Sequence, residues 1–212
     1  MKTDLVSELK ALYTASAKSP SIVTVPKMKY LTVDGHGHPD KTPAFQEAAS
    51  ALFQVAYTLK FMLKKAGSHD FKVMPLEGFW WPPDGSAFLS APDDWNWTLM
   101  IALPSFVTVS HFNKAIEQLR AKKKVEVSPA LDNVHVQEFK EGKAVQMLHI
   151  GPYSSEEPTV TKLGDFATDA GFSLSGRHHE IYLSDPKRTP PEKLKTIIRY
   201  SIVKESRAAV AK

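Results

Sequence analysis

The residues of this chain best suited to chemistry lie in two short segments that set a carboxylate among aromatic rings. One is Glu77-Gly78-Phe79-Trp80-Trp81-Pro82-Pro83-Asp84; the other is His178-His179-Glu180-Ile181-Tyr182-Leu183-Ser184-Asp185-Pro186. An acid against apolar rings is costly to desolvate, so the pairing suits a proton-transfer step or a cationic ligand. Alternate side chains of an extended strand share a face. Glu77, Phe79 and Trp81 therefore fall together, as do His178, Glu180 and Tyr182, while His179, Ile181 and Leu183 read as a core face. Glu180 is the sharpest candidate, as a general acid or base or as the anchor of a lipophilic ammonium assisted by cation–π contacts. The plainer alternative is an exposed strand carboxylate paired with Lys or Arg, which would contribute little.

The other candidates divide by position. Trp80 and Trp81 point to opposite strand faces, so one lines a groove and the other joins the core unless the strand is bulged. Glu77 is either the counterpart of Glu180 or the polar residue that opens a strand. Trp95 and Trp97 pave the groove or pack beneath it. Tyr153, after Gly151-Pro152, serves the turn or offers a hydroxyl to a ligand, and His149 and His178 reach the groove from their strands. With no Cys and no His-x-x-x-His pair on a helix, neither a metal site nor a cofactor is expected. No Gly-rich phosphate loop, nucleophile elbow or Ser-His-Asp order is present, which argues against acyl transfer by a serine.

These residues need a scaffold. Residues 3–14 fit a short amphipathic helix on Leu5, Leu9 and Leu12, capped by Thr3 or Asp4. Residues 22–34 read as a strand with Pro26 at an edge or bulge. From Pro43 to about Lys65 apolar residues recur at helical spacing, and Gly67 is a natural stop. Strands follow at about 71–81 and 94–103, joined by the Pro/Gly-rich stretch from Pro82 to Pro92. A second helix fits 108–122, with Ser110 as candidate cap. Strand-like segments at 134–150 are interrupted by Glu141-Gly142-Lys143, a predicted hairpin turn. A helix from about Pro158 to Ala170, stopped by Gly171, and strands at about 177–183 and 194–203 complete the chain. Strand–helix–strand–strand thus occurs twice, about 22–122 and 134–204, after an N-terminal helix and linker over 1–21. The expected fold is α+β: a tandem β-α-β-β repeat forming one antiparallel sheet, helices on one face, with a groove on a pseudo-two-fold axis.

Composition sets limits. A chain of 212 residues with 42% hydrophobic and 24% charged content forms one core or two small fused ones. No apolar run reaches the roughly 18 residues that span a membrane, and the N-terminus is too polar for a signal peptide, so a cytoplasmic protein is expected. A net charge of +4 invites a nucleic-acid reading. The excess is diffuse apart from Arg120 to Lys124, which suits a solvated helix C-terminus.

Taken in order, Tyr30-Leu31-Thr32-Val33-Asp34-Gly35 with Gly37 and Pro39, Ala56-Tyr57-Thr58-Leu59-Lys60, Leu76-Glu77-Gly78-Phe79-Trp80-Trp81, Gly151-Pro152-Tyr153, His179 to Pro186 and Lys195-Thr196-Ile197-Ile198-Arg199 make the chain resemble the GyrI-like small-molecule-binding domains. The resemblance spans about residues 22–203 and implies paired β-α-β-β (SHS2-type) repeats with a ligand groove between them. In related regulators such a domain is an effector module whose carboxylate recognises lipophilic cations, a place that Glu180 would take. Some stand-alone members are similar to hydrolases that open cyclopropane rings of DNA-alkylating compounds. There the resemblance gives the chemistry to Glu180 and Tyr182, with Trp80 and Trp81 lining the pocket. Family regulators carry a helix-turn-helix reader before the domain; the roughly twenty residues ahead of the first strand are too few for one, so no direct DNA reading is expected. A gyrase-inhibitor-like interaction module is the remaining alternative. The native ligand and the oligomeric state do not follow from the sequence.

Overall fold

The computed structural model describes residues 2–39, 41–84, 94–122 and 126–205. In chain order the elements are β1 (Lys2–Thr3), α1 (Leu5–Glu8), α2 (Lys10–Tyr13), β2 (Ser21–His36), α3 (Ala44–Lys65), β3 (Asp70–Phe71), β4 (Leu76–Trp81), β5 (Asn96–Leu103), α4 (Val109–Arg120), β6 (His135–Ile150), α5 (Glu157–Asp169), β7 (Phe172–Tyr182) and β8 (Lys195–Lys204). The fold is α+β, with an antiparallel sheet that curves until it closes into a barrel of order β2-β5-β4-β7-β8-β6. The order reads first–third–second strand in one half and second–third–first in the other, the signature of a two-fold duplication. Two seams join the halves, β4 against β7 and β6 against β2.

The long helix α3 forms because Ala48, Leu52, Val55, Ala56 and Leu59 recur at 3.6-residue spacing, and it buries that stripe on the outer face of β2 and β5. Gly67 at φ 70° and Gly171 at φ 78° end α3 and α5 in the left-handed region that favours glycine. Helix α5 buries Leu163 and Ala167 against β6, β7 and β8. The cap of α4 is Thr108 rather than Ser110: its side chain accepts from the His111 backbone N–H, and the His111 ring returns a bond to the Thr108 backbone N–H. The N-terminal helix is broken into α1 and α2, with Asp4 accepting from the Ser7 backbone N–H.

No hairpin forms at Glu141-Gly142-Lys143. Strand β6 runs straight through, pairing with β2 from His135 to Gln146 and with β8 from Ala144 to Ile150, and Gly142 sits at φ 82° within it. The barrel interior is polar at its centre. Buried Arg199 donates to Gln146 Oε1 from Nε (3.0 Å) and Nη2 (2.8 Å), to Glu141 Oε2 (3.3 Å) and to the Leu12 carbonyl. His179 bridges Glu141 (3.1 Å) and Glu77 (3.1 Å), and Tyr13 donates to Glu77 at 2.8 Å. Gln146 donates to the Ala11 and Thr14 carbonyls. Helix α2 thus closes one end of the barrel through buried polar bonds. Among the described residues no helix is long and apolar enough to cross a membrane. Part of the Pro82–Pro92 loop and Lys123 and Lys124 of the basic cluster lie outside the described residues; Arg120 pairs with Asp132.

Candidate functional site

Strands β4 and β7 decide what meets what. Gly78 lies opposite Glu180 and Trp80 opposite His178, with the side chains of Trp80, His178 and Glu180 on the outer, helix-covered face; Phe79 lies opposite His179 on the inner face. Strand period then carries Tyr182 to the outer face and Glu77 and Trp81 to the inner one. The outer face collects the chemistry. His178 Nε2 lies 3.0 Å from Glu180 Oε1 and 3.4 Å from Oε2 of Glu156, the residue that starts α5. Its Nδ1 meets the Tyr200 hydroxyl at 2.7 Å. Beside this trio the Trp80 indole N–H donates to the Tyr182 hydroxyl at 3.1 Å, and Tyr153 sits edge-on to Tyr182 with centroids 5.8 Å apart. Phe45 of α3, Trp95 and Trp97 extend the aromatic wall around Trp80.

Gly78 makes the arrangement possible. A Cβ there would come within 2.8 Å of Trp80 Nε1 and 3.1 Å of the Tyr182 hydroxyl. Gly35 does the same for Trp97, whose ring lies flat over it and donates to the Gly37 carbonyl at 3.1 Å.

The trio is dry: Glu180 is 6% exposed, Glu156 3% and His178 1%. Burial would lower the His178 pKa, but its bonds to Glu156 and Glu180 outweigh this and raise it to about 9. Burial and the negative charge of Glu180 push Glu156 up to about 8, against the opposing pull of His178. Near neutrality Glu156 therefore keeps its proton and His178 its charge. Burial and the charge of Glu180 also raise Tyr182 and Tyr200, so both stay protonated donors.

The three donor atoms lie within 4.8 Å of one another, close enough for a metal ion, although spacing along the chain offers no reason to expect such a set. The protonated His178 Nε2–H, directed at both acids, already supplies a positive charge in that space.

Of the residues singled out in the sequence, Glu180, Tyr182, His178, Trp80 and Tyr153 come together. Trp97 packs behind Trp80. His149 lies on the outer face of β6 beneath α5, bonded to Thr159 and close to the Pro152 carbonyl. Glu77 and Trp81 do not join them: Glu77 belongs to the barrel interior and Trp81 to its open end. Glu156 and Tyr200 were missed. Glu156 reads locally as an ordinary acid at a helix start, where the dipole favours carboxylates; only long-range pairing reveals its partners.

Residues 18–202 match the model of the GyrI-like small molecule binding domain. The chain is similar to an uncharacterized conserved protein from Listeria innocua, at 39% identity over 94% of this chain and 99% of that one, with a TM-score of 0.85. It is also similar to a hydrolase from Listeria innocua, at 39% identity over 96% of this chain and 100% of the other, TM-score 0.85. Another hydrolase from the same organism is 38% identical over 94% and 99%, TM-score 0.83. Among curated proteins none matches.

Proposed function

The chain belongs to the GyrI-like small-molecule-binding domain family, and from that premise we propose that it holds bulky aromatic compounds against Glu180 and hydrolyses strained cyclopropane-bearing alkylators there. The observation that carries this reading is the buried Glu156–His178–Glu180 trio beside the Trp80–Tyr182 pair: two carboxyls flank one imidazole, beside rings that take a flat electrophile. The similar proteins from Listeria innocua that are hydrolases support the reaction class.

In this mechanism a water bonded to Glu180 gives up its proton to the carboxylate as its oxygen attacks the ring methylene. The methylene–carbon bond of the ring breaks. Its electron pair passes through the conjugated system to the carbonyl oxygen, which takes a proton from the Tyr182 hydroxyl, and the proton gained by Glu180 then returns through solvent to Tyr182 so that both groups are restored. Ring strain and placement of the electrophile supply most of the acceleration, and the positioned base adds a typical factor of about 10²–10⁴. Incubating the protein with a cyclopropane-bearing alkylator should add the mass of one water, and Glu180→Gln should abolish that gain. Unchanged compound in the presence of active, folded protein overturns the hydrolytic reading.

One observation favours a second reading, capture of lipophilic cations without chemistry: the Glu180 carboxylate sits beside a wall of indole and phenol rings, which suits a cation. N-methylacridinium and 9-methylanthracene, matched in shape, separate the two contributions. Glu180→Gln should weaken the cation about tenfold or more and leave the neutral hydrocarbon nearly unchanged. Equal weakening of both removes the electrostatic role.

A further inference from the structure

The opposite face of the same two strands carries a second feature that the outer site does not use. At the end of the barrel away from α2 a cavity of about 530 Å³ opens to solvent, within the range of small-molecule pockets. It is a blind cup. Its walls are Phe79, Phe139 and Trp81, with Asp34 and Gln137 at the rim. Tyr30 stacks beneath Phe139 at 4.4 Å and His179 lies under Phe79, so the charged network of the barrel centre forms the floor and helix α2 blocks the far end.

Arg177 gives the cup its chemistry. The bulge between Ser175 and His179 turns this side chain inward, and its guanidinium lies 3.6 Å from the centroid of the Trp81 ring. Stacking uses the face of the guanidinium and leaves its N–H edge available; among the described residues no hydrogen-bond or ion-pair partner engages it. A guanidinium held flat on an aromatic ring with a free edge is prepared for an oxyanion. The anion in the lining, Asp34, already accepts from the Thr98 hydroxyl.

We propose that the open end of the barrel is a second ligand site, which takes a planar aromatic molecule bearing a carboxylate or sulfonate, its rings against Phe79, Phe139 and Trp81 and its anion on Arg177. On β7 alone, Glu180 faces the helix side and Arg177 faces the cup. This assignment is independent of what Glu180 does.

The probe is 8-anilinonaphthalene-1-sulfonate, whose fluorescence rises on leaving water, titrated into the full chain. Arg177 and Gln137 are both exposed, so Arg177→Gln and Gln137→Trp should fold as the wild type, checked by thermal melting. Arg177→Gln should weaken the probe about tenfold or more, as expected for loss of a charge-assisted bond, and Gln137→Trp should block it by filling the cup. Glu180→Gln should leave its affinity within about twofold, and N-methylacridinium should not compete with it. Wild-type affinity in both Arg177→Gln and Gln137→Trp, loss of binding in Glu180→Gln, or competitive displacement by the acridinium overturns the proposal.

Discussion

Replacing Glu156 by Gln tests whether the buried trio holds an extra proton. The folded protein raises Glu156 from its ordinary 4.5 to about 8 and His178 from 6.5 to about 9. A raised folded-state pKa contributes stability that is fully present below the unfolded value and lost as pH rises through the folded one. For Glu156 that window runs from 4.5 to about 8, and for His178 from 6.5 to about 9. Where the windows overlap, folding takes up between one and two protons. Stability should therefore fall with rising pH by about 1 to 3 kcal/mol per pH unit, a large share of the roughly 5–15 kcal/mol that holds a domain folded. Glutamine is the uncharged isostere of the protonated acid and, placed there, has no such window. Urea unfolding of both proteins should give similar stability near pH 4.5. The variant should then gain on the wild type steadily, by several kcal/mol, up to about pH 8. Parallel stability–pH curves for the two proteins, or wild-type stability that is flat or rising from pH 6 to 8, would refute the retention of a proton on Glu156 and of charge on His178.

Gly35→Ala would set a Cβ 2.0 Å from the Trp97 ring, which is fully buried and has no room to retreat. A loss of about 3 kcal/mol or more in urea unfolding is expected, with a shift in tryptophan emission. Arg199→Met removes the cation that serves Glu141, Gln146 and the Leu12 carbonyl, and should cost about 3–5 kcal/mol, because two buried acids, Glu141 and Glu77, are then left with His179 alone between them. Tyr182→Phe leaves the Trp80 indole N–H without its acceptor and should cost about 1–3 kcal/mol by thermal unfolding, while slowing the proposed ring opening more than it weakens ligand binding.

Periodicity was legible wherever it is local. The stripe on α3, the glycine stops at 67 and 171 and the alternation of His178, Glu180 and Tyr182 all follow from spacing alone, and so did the paired β-α-β-β order. Closure of the sheet was not legible, because it depends on which strand edges find one another across the whole chain. Glu141-Gly142-Lys143 has turn composition, yet Glu141 is needed inside the barrel to meet Arg199 and His179, and the strand continues through it. Strand period already sends His178 and His179 to opposite faces; that each meets a different pair of acids depends on long-range pairing. The capping box at α4 escaped notice because His111 stands where Glu or Gln usually completes it.

A ring of hydrogen-bonded strands cannot hinge. The two halves of this protein are sewn together at both margins, β4 to β7 and β6 to β2, and parting them like a clamshell would tear a whole ladder of main-chain bonds along one margin while bending the other. Whatever passes to Glu180 must therefore get in by the lifting of a side chain, a loop or a helix from the outside wall, with the strand framework standing still. Molecules bound there would be met by a rigid floor and a yielding roof, and differences among them in rate of capture should track the roof.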